Sequence, residues 1–543
     1  MKSAFRNRGV VDFEGKLAGR TRECSMNATS LGSVSPPGEA KERVLIGLFS
    51  ILAAVHVFIF SSAFPFFNNT DEQFHFDLVV EYSHGHLPRG MSQLREESLQ
   101  YILAYSSPEF IWAQAISPGG KFPAPSWTQP GLASSREARQ NAAGEPLPFF
   151  QQWLNVFKPM QNYESSQQPL YYAAAGMWWH LGEWCGLKGL SLLYWIRWLN
   201  ILFVAALAWV GYFAARMIFP ENGFIRLGVP ALIAFIPQQA FYSIENDALS
   251  PLCFGLTFIC LVRWLRAETP GLGLGIATGL SVAATFLAKM SNLPLLAMSA
   301  VAVLLKLWQW RGTGKWRAAL PALAAMTLCA ALPVCSWLAW SKFAFGDFSG
   351  SEAKIQILGW THKPFAEWWH HPIFTQQGCW TFVSGQITTF WQGDFRWHAN
   401  PLDLPAVDAI YVILSLSFLS LATIKLIPRF SVATPQQRQA LWLGLACFAA
   451  AFSFFGYLSI IYDFHNCVYP SREYPYFTSG RLILGALIPF LLLYLHGLDC
   501  LLRQPENNWL RPVALAVMIL FMLISEVITD WSVFSSQYNW FHA

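Results

Sequence analysis

Hydrophobic residues fall into eleven long runs along this chain, and polar segments of very unequal length separate them. A helix needs about 20 mostly apolar residues to cross a hydrocarbon core of roughly 30 Å. Each run therefore predicts one membrane-spanning helix. The predicted spans are residues 44–64, 198–215, 227–243, 248–265, 271–288, 293–310, 318–340, 406–426, 439–460, 482–500 and 511–529.

For a twelfth apolar segment, residues 169–186, the distribution of charge rather than hydropathy decides whether it crosses the membrane. With the N-terminus in the cytoplasm, eleven spans place more than half of the Lys and Arg residues in cytoplasmic segments, as the positive-inside rule requires. A twelfth span would move the basic cluster 306–317 to the outer face. We therefore predict that residues 169–186 form a surface helix on the outer face, anchored by Trp178 and Trp179.

This threading divides the chain into a short tail and one membrane domain with large outer segments. Cytoplasmic loops are short, so function carried by loops is predicted on the outer face. The predicted units are a polar, basic and disordered cytoplasmic tail (1–43), a membrane domain (44–529) with first (65–197), second (341–405) and third (462–481) outer segments, and an outer tail (530–543).

Composition supports an all-α polytopic membrane protein. Apolar residues make up 54% of the chain and charged residues only 13%. A water-soluble fold could not cover so much apolar surface, which excludes a cytosolic enzyme and a disordered chain. The formal charge of +4 is too small to steer nucleic acid, so no nucleic-acid partner is expected. Ten cysteines are scattered; Cys379 and Cys467 both fall in outer segments, where pairing and free thiols are both open.

An acidic motif follows the first span directly. Asn69 or Thr70 is a suitable N-cap, with Asp71 and Glu72 in the first helical turn. On such a helix Asp71 and His75 are four residues apart and share a face. The motif is either an ordinary acidic helix start or a catalytic site. Because ionisable groups at a membrane exit are costly and often functional, we favour a site that takes a proton from an attacking hydroxyl.

Basic residues at the predicted outer ends of other spans are candidates for holding a phosphate leaving group. Lys289 ends the fifth span, Arg481 precedes the tenth, Arg472 lies nearby and Arg197 precedes the second. Charge builds on a departing phosphate, and cations placed there stabilise it. The alternative for each residue alone is snorkelling toward lipid headgroups.

Two further patches complete the predicted cavity. Asn246 and Asp247 follow Glu245 between the third and fourth spans, as a second acidic position or as a simple polar turn. Tyr171 and Tyr172 open the predicted surface helix, where they line the cavity or anchor the helix. Asp71 and His75 are also candidate ligands of a divalent metal ion.

The order of these motifs resembles the GT-C superfamily of polyprenyl-phosphate-sugar-dependent glycosyltransferases. Members include the protein O-mannosyltransferases and the aminoarabinose transferase of lipid A. The Asp-Glu-x-x-His-Phe exit motif, the later Asn-Asp-Ala and the late Gly-Arg-Leu-Ile-Leu look most similar to an uncharacterised bacterial membrane-protein family of that clan. Gln73 and Leu482 stand where that family often has proline and tyrosine, and Gln168 replaces a lysine that helps bind the donor phosphate in some transferases.

The resemblance implies a fold, a reaction and a location. The fold is GT-C-like, with a large first outer loop that carries surface helices. The expected reaction moves a sugar from a polyprenyl-phosphate donor to a glycan, lipid or protein acceptor outside the bacterial inner membrane. Asp71 is expected as catalytic base with Glu72 and His75 beside it, while Lys289 and Arg481 hold the donor phosphate.

Two alternatives belong to other functional classes. A transporter or flippase of a lipid-linked saccharide needs the cavity and the cations but no base. Few charges are expected inside the spans, which disfavours coupling to protons or ions. A non-catalytic assembly subunit of the same architecture is the second alternative, and the intact motif of Asp71, Glu72 and His75 argues against it.

Overall fold

The computed structural model describes residues 37–67, 71–110, 122, 124–125, 127, 155, 157–465, 467–503 and 509–542. In these residues the chain is almost entirely helical, which confirms the predicted all-α class. Its α-helices are α1 (Pro37–Ala63), α2 (Glu72–Ser83), α3 (Glu96–Tyr105), α4 (Pro169–Trp184), α5 (Leu190–Arg197), α6 (Leu199–Ile218), α7 (Gly223–Ala234), α8 (Ser250–Arg266), α9 (Leu272–Ala288), α10 (Leu293–Trp310), α11 (Lys315–Phe345), α12 (Ser351–Ile357), α13 (Gln376–Trp391), α14 (Pro405–Leu426), α15 (Pro435–Ile461), α16 (Leu487–Leu502) and α17 (Leu510–Phe534).

Short 3-10 helices and two-residue strands occur between them. Strand β1 pairs antiparallel with β4, which joins the second outer segment to the third, and β2 pairs with β3. The strands are β1 (Thr361–His362), β2 (Arg396–Trp397), β3 (Asn400–Pro401) and β4 (Tyr462–Asp463). The 3-10 helices are Pro108–Phe110, Gln239–Tyr242, Asn246–Ala248, Met290–Asn292, Phe365–His370, Pro372–Phe374, Pro428–Phe430, Gly480–Ala486 and Trp540–His542.

Nine helical stretches of the described chain are long and apolar enough to cross a membrane, so the protein is a multi-pass membrane protein. They are Ala40–Ala63, Leu190–Ile218, Asn246–Arg266, Met290–Trp310, Lys315–Phe345, Pro405–Leu426, Pro435–Ile461, Gly480–Leu502 and Leu510–Phe534. The other two predicted spans are shorter apolar helices, α7 and α9. The total of eleven spans therefore remains a prediction.

Helix α7 and the chain after it nevertheless run the full length of the bundle. At the start of α7, Arg226 is ion-paired with Glu42 at the start of α1. The chain then reaches Ile244, whose backbone N–H donates to Glu72 (2.9 Å), just beyond the end of α1. We call this second end of the bundle the site end, and the first the opposite end.

Irregular backbone between α7 and α8 replaces the second half of the third predicted span. Such backbone is tolerated at membrane depth only where protein satisfies its polar groups. The Asn200 side chain donates to the carbonyl of Ser243 (2.7 Å), and the Gln239 N–H donates to the carbonyl of Gln392 (3.0 Å). This buried segment therefore carries Glu245 and Asp247 into the protein interior at the site end.

The first outer segment forms a layer of short helices over the site end. Helix α4 packs on α2 and α5, and the Trp178 ring stacks on Trp195 with ring centroids 4.3 Å apart. Helix α4 has 16 residues, fewer than the about 20 that a membrane span needs. Cys379 and Cys467, in the second and third outer segments, are free thiols in this structure.

Glycines allow α9 and α11 to pack at close range. A Cβ on Gly275 would lie 2.2 Å from the Ala322 carbonyl oxygen, and one on Gly279 would lie 2.4 Å from that of Met326. Side chains at these positions would separate the helices. Close backbone approach through small residues is a common way for helices to associate in lipid.

We expect Gly275→Ala to lower the free energy of unfolding by about 1–3 kcal/mol, because the added methyl group overpacks the helix contact. Gly273→Ala is the matched control, since a Cβ there meets nothing within 4 Å. Its helix propensity should leave stability unchanged or up to about 1 kcal/mol higher. Denaturant unfolding in detergent micelles measures both; equal effects would contradict the packing argument.

Candidate functional site

A buried ion pair between Glu72 and Arg197 holds the site end together. Arg197 Nη2 lies 2.7 Å from Glu72 Oε1 and 2.8 Å from Oε2, and both side chains are about 1% exposed. The same guanidinium donates to the backbone carbonyls of Ser61 (3.0 Å), Phe64 and Pro65 (3.1 Å). It thereby satisfies carbonyl groups at the C-terminus of α1.

Glu72 also accepts hydrogen bonds from two backbone N–H groups, those of Phe67 (3.1 Å) and Ile244 (2.9 Å). The pair therefore connects the end of α1, the start of α2, the junction of α5 with α6 and the chain before α8. Both carboxylate oxygens of Glu72 are occupied by these donors. This contact set fits an anchoring role for Glu72 and for Arg197.

Asp71 immediately precedes α2 and faces a different environment. Its backbone is left-handed (φ 66°), and its carboxylate accepts a hydrogen bond from the Tyr163 hydroxyl instead of capping the helix. Burial raises the pKa of Asp71, and the negative charge of Glu164 raises it further, against the opposing charges of Arg481 and Lys354. The predicted caps Asn69 and Thr70 lie outside the described residues.

His75 lies one turn further along α2 and is bound to α4. Its Nδ1 is 2.6 Å from the Tyr172 hydroxyl. Burial lowers the pKa of His75 to about 3; Glu164 opposes this shift and Lys289 adds to it. The imidazole is therefore neutral near pH 7. Tyr171 is also buried, with its hydroxyl 3.5 Å from Asn200 Oδ1.

Arg481 is the centre of a buried charge cluster. Its Nη1 lies 2.8 Å from Glu245 Oε2 and 3.0 Å from Asp247 Oδ2, and its Nε lies 3.4 Å from Asp394 Oδ1. Lys289 is ion-paired with the other oxygen of Asp247. The structure thus brings together residues next to the ends of three helices, α8, α9 and α16, and one residue of the second outer segment. We call Glu245, Asp247, Lys289, Asp394 and Arg481 the charge cluster.

Burial has opposite effects on the acid and base groups of the charge cluster. It raises the pKa of Glu245 to about 8, assisted by Asp247 and opposed by Arg481. It lowers the pKa of Lys289, although Asp247 opposes this shift. Asn246, between the two acids, donates to Gln167 (3.1 Å) and to the carbonyl of Ala288 (3.2 Å), so its amide positions this loop.

The cluster and Asp71 interact electrostatically, since Arg481 influences the pKa of Asp71 and Asp71 contributes to the field at Arg481. The predicted residues Asp71, His75, Asp247, Lys289 and Arg481 therefore lie in one region of the site end, where His75, Asp247 and Lys289 are buried and Asp71 and Arg481 are partly exposed. Arg472 does not join it: this exposed side chain binds Asp463, with both contacts at 2.9 Å.

Sequence reasoning missed three residues beside Asp71. Tyr163 binds Asp71, and Glu164 binds Lys354 of α12 (2.5 Å). Burial acts to raise the pKa of Glu164, but the charge of Lys354 and the hydrogen bonds from Lys354 and Gln167 outweigh it and lower the pKa. No local pattern marks these residues. The glycine before Arg481, by contrast, is a feature that the sequence shows. A Cβ on Gly480 would lie 2.2 Å from the Phe390 backbone nitrogen, so the close packing at this position requires a glycine.

A second buried polar group lies inside the spans, where few charges were expected. His56 Nε2 of α1 is 2.6 Å from Glu526 Oε2 of α17, and Tyr242 donates to the other oxygen of Glu526. One turn along α17, Asp530 accepts from Gln239 (3.3 Å). We call His56, Tyr242, Glu526 and Asp530 the intramembrane cluster. Glu526 lies inside the last predicted span, near its outer end, and Asp530 lies just beyond that span in the predicted outer tail.

The donor set at Asp71 does not support a metal centre. No group of three or more His, Cys, Asp or Glu side chains placed to hold a metal occurs among the residues that the structure describes. Asp71 and His75 are each engaged by a tyrosine hydroxyl, and Glu72 by Arg197. The divalent ion remains a prediction, and no step below depends on it.

We expect Arg197→Met to lower the free energy of unfolding by about 3–5 kcal/mol, because it leaves the Glu72 carboxylate buried without its partner. Arg95→Met is the matched control, since Arg95 forms an ion pair with Glu81 (2.8 Å) but is 34% exposed. Its loss should cost about 1 kcal/mol or less. Thermal or denaturant unfolding in detergent checks both, and a small effect of Arg197→Met would contradict the anchoring role.

Comparison with known proteins gives a family and three structural alignments of low similarity. Curated proteins yield no match. Among solved structures, ArnT from Cupriavidus metallidurans bound to undecaprenyl phosphate aligns with a TM-score of 0.43 and 11% identity over 92% of this chain and 75% of its own. The archaeal oligosaccharyltransferase AglB from Archaeoglobus fulgidus, in complex with an inhibitory peptide and a dolichol-phosphate, aligns with a TM-score of 0.42 and 10% identity over 92% of this chain. The oligosaccharyltransferase of the same organism in its apo form aligns with a TM-score of 0.41 and 9% identity over 90% of this chain.

This chain spans 56% of the length of each oligosaccharyltransferase structure. At such low identity the similarity does not carry an activity from one protein to another. The model of the family DUF2142, described as a predicted membrane protein, matches residues 53–461. Since that match covers most of the chain, the protein belongs to the DUF2142 family of predicted membrane proteins.

Proposed function

We propose that this protein is an inverting glycosyltransferase that moves a sugar from a polyprenyl-phosphate donor to an extracytoplasmic acceptor. One observation carries the proposal: a partly buried carboxylate of raised pKa, Asp71, lies in the electrostatic field of Arg481 and its charge cluster. A proton acceptor beside cations is what this transfer needs. The resemblance of the sequence motifs to GT-C enzymes supports the same reaction.

Asp71 takes the role of general base in this proposal. The acceptor hydroxyl oxygen forms a bond to the anomeric carbon, the bond from that carbon to the lipid phosphate oxygen breaks, and the hydroxyl proton passes to Asp71. The raised pKa increases the affinity of the carboxylate for this proton. Tyr163 keeps the carboxylate oriented by its hydrogen bond. His75, being neutral, serves to position Tyr172 rather than to carry charge.

Lys289 and Arg481 receive the lipid phosphate. In the structure both cations are paired with carboxylates, so the phosphate competes with Asp247, Glu245 and Asp394 for them. Since Glu245 has a pKa of about 8, it is mostly uncharged near pH 7, which removes part of this competition. Negative charge that develops on the departing phosphate is then stabilised by two fixed cations.

The site end faces the periplasm of a bacterial inner membrane in this proposal. The opposite end carries several basic side chains, as the positive-inside rule expects of a cytoplasmic face. Those with contacts there are Arg226, Arg266, Lys306, Lys315 and Arg511. The partners would be a polyprenyl-phosphate-linked sugar, membrane lipids and a glycan, lipid or protein acceptor.

A second candidate function is the transport of a lipid-linked saccharide. The intramembrane cluster favours it, because ionisable groups buried in a membrane often mark proton pathways. Glu526 and Asp530 are each about 2% exposed, and His56 Nε2 contacts Glu526. A proton-coupled transporter would use this cluster and would need no base at Asp71.

We expect Asp71→Asn to reduce sugar transfer by about a hundredfold to ten-thousandfold, because the amide cannot accept the hydroxyl proton. Transfer from a radiolabelled polyprenyl-phosphate sugar to extracted envelope acceptors, in vesicles with matched protein abundance, measures the loss. Glu97→Gln is the control, an exposed acid of the same outer segment that is paired with His84. Full transfer by Asp71→Asn would contradict the base assignment. Label that crosses the bilayer without a new glycosidic bond, in wild type and variant alike, would favour the transporter.

We expect donor binding to weaken by about tenfold as pH rises through about 8, since Glu245 then becomes an anion beside the phosphate. Glu245→Gln should remove this dependence, because the amide stays uncharged above and below that pH. Binding of undecaprenyl phosphate to protein in nanodiscs between pH 6.5 and 9.5 measures it. Glu268→Gln, at the opposite end, is the control. A Glu245→Gln slope equal to that of the wild type would refute the phosphate position.

A further inference from the structure

A cavity of about 450 Å³ lies between the first and second outer segments. Gln93, Met160, Gln161 and Tyr163 line it from the first outer segment, and Ile357 and Leu358 from the second. The described side chains that line it carry no charge. It therefore differs from the charge cluster, although both lie at the site end.

Tyr163 connects this cavity to the candidate base. The residue forms part of the cavity wall, and its hydroxyl donates to Asp71. The Tyr163 ring also contacts α12: Lys354 Nζ lies 5.4 Å from the ring centre and is ion-paired with Glu164, the next residue after Tyr163. A molecule in the cavity is therefore separated from Asp71 by a single side chain.

The cavity is fixed by the fold of α12. Gly350 and Gly359, on either side of this helix, have left-handed backbone (φ 67° and 69°). A Cβ on Gly350 would lie 2.5 Å from Ser166 Cβ, so the start of α12 is packed directly on the first outer segment. With the Lys354–Glu164 pair as a second attachment, Ile357 and Leu358 are held opposite Gln161.

We propose that this cavity binds a neutral saccharide, as the acceptor of the proposed transfer. Two carboxamides, Gln93 and Gln161, each offer a donor and an acceptor, which matches vicinal hydroxyl groups. Met160, Ile357 and Leu358 provide apolar contacts for the C–H faces of a sugar ring. The role as acceptor rests on the proposed function, whereas the binding of the saccharide does not.

Other ligand classes fit this lining less well. A lipid chain needs a continuous apolar groove, and the two carboxamides interrupt this one. A peptide strand would need free backbone groups at the edge, but Gln93 and Gln161 are already paired with each other in an antiparallel bridge. An anionic ligand would find no cation among the described residues that line the cavity.

Saturation-transfer NMR on the full chain in lipid nanodiscs tests the inference, since maltoside detergent would compete for such a site. The probes are cellobiose, chitobiose and methyl α-mannoside, with glucuronate and an N-acetyl-trialanine amide as the charged and peptide comparisons. We expect a neutral saccharide to bind and Gln161→Ala to weaken it about threefold to tenfold, as loss of one or two hydrogen bonds predicts. Leu358→Trp, which fills the cavity, should abolish binding.

Two controls separate this inference from the proposed function. Gln356→Ala changes an exposed glutamine of α12 outside the cavity and should bind as the wild type does. Asp71→Asn should also retain binding, so failed transfer with intact binding would refute the transferase and not the cavity. Absence of neutral saccharide binding, binding unchanged in both Gln161→Ala and folded Leu358→Trp, or preference for the peptide or glucuronate would each overturn the inference.

Discussion

The Glu72–Arg197 ion pair is the constraint on which the site end depends. Removing two charges from water costs several kcal/mol for each ion, and only complete hydrogen bonding repays that cost. Here Arg197 binds the carboxylate and three backbone carbonyls, while Glu72 binds two further N–H groups. Every one of these partners has to be in place at once. The pair therefore fixes where α1 ends and where α2 begins, and Asp71 is the residue immediately before α2.

Hydropathy and charge predicted much of the fold, because each depends on local composition. The nine long spans coincide closely with predicted runs, and the segment now seen as α4 is not among them. The third predicted span differs from the observed structure. Its apolar residues are buried, but α7 ends at Ala234 and irregular chain follows. Hydropathy reports burial and not backbone conformation, so a broken helix inside a protein is invisible to it.

The candidate site was predictable only where residues stand at the ends of spans. Asp71, Lys289 and Arg481 were recognisable because a charge next to an apolar run is conspicuous. Tyr163, Glu164 and Lys354 lie in outer segments rich in polar residues, and only the fold brings Lys354 to Glu164 across 190 positions of sequence. Glu72 shows the opposite case: the motif was noticed, but its partner Arg197 is 125 positions away and was assigned to a phosphate. Sequence position identified candidates and left their partners undetermined.

The acids around Lys289 and Arg481 have a consequence for any phosphate ligand. Two unpaired buried cations would bind a lipid phosphate tightly, but the same tightness would slow release of the spent carrier. Asp247 and Asp394 supply alternative anions at 3.0 Å and 3.4 Å from Arg481, so the cations keep partners whether or not phosphate is present. Unpaired buried charge is avoided in both states, and exchange costs less than a bare site would. The surplus of carboxylates in a cation site thus suits a ligand that arrives, reacts and leaves.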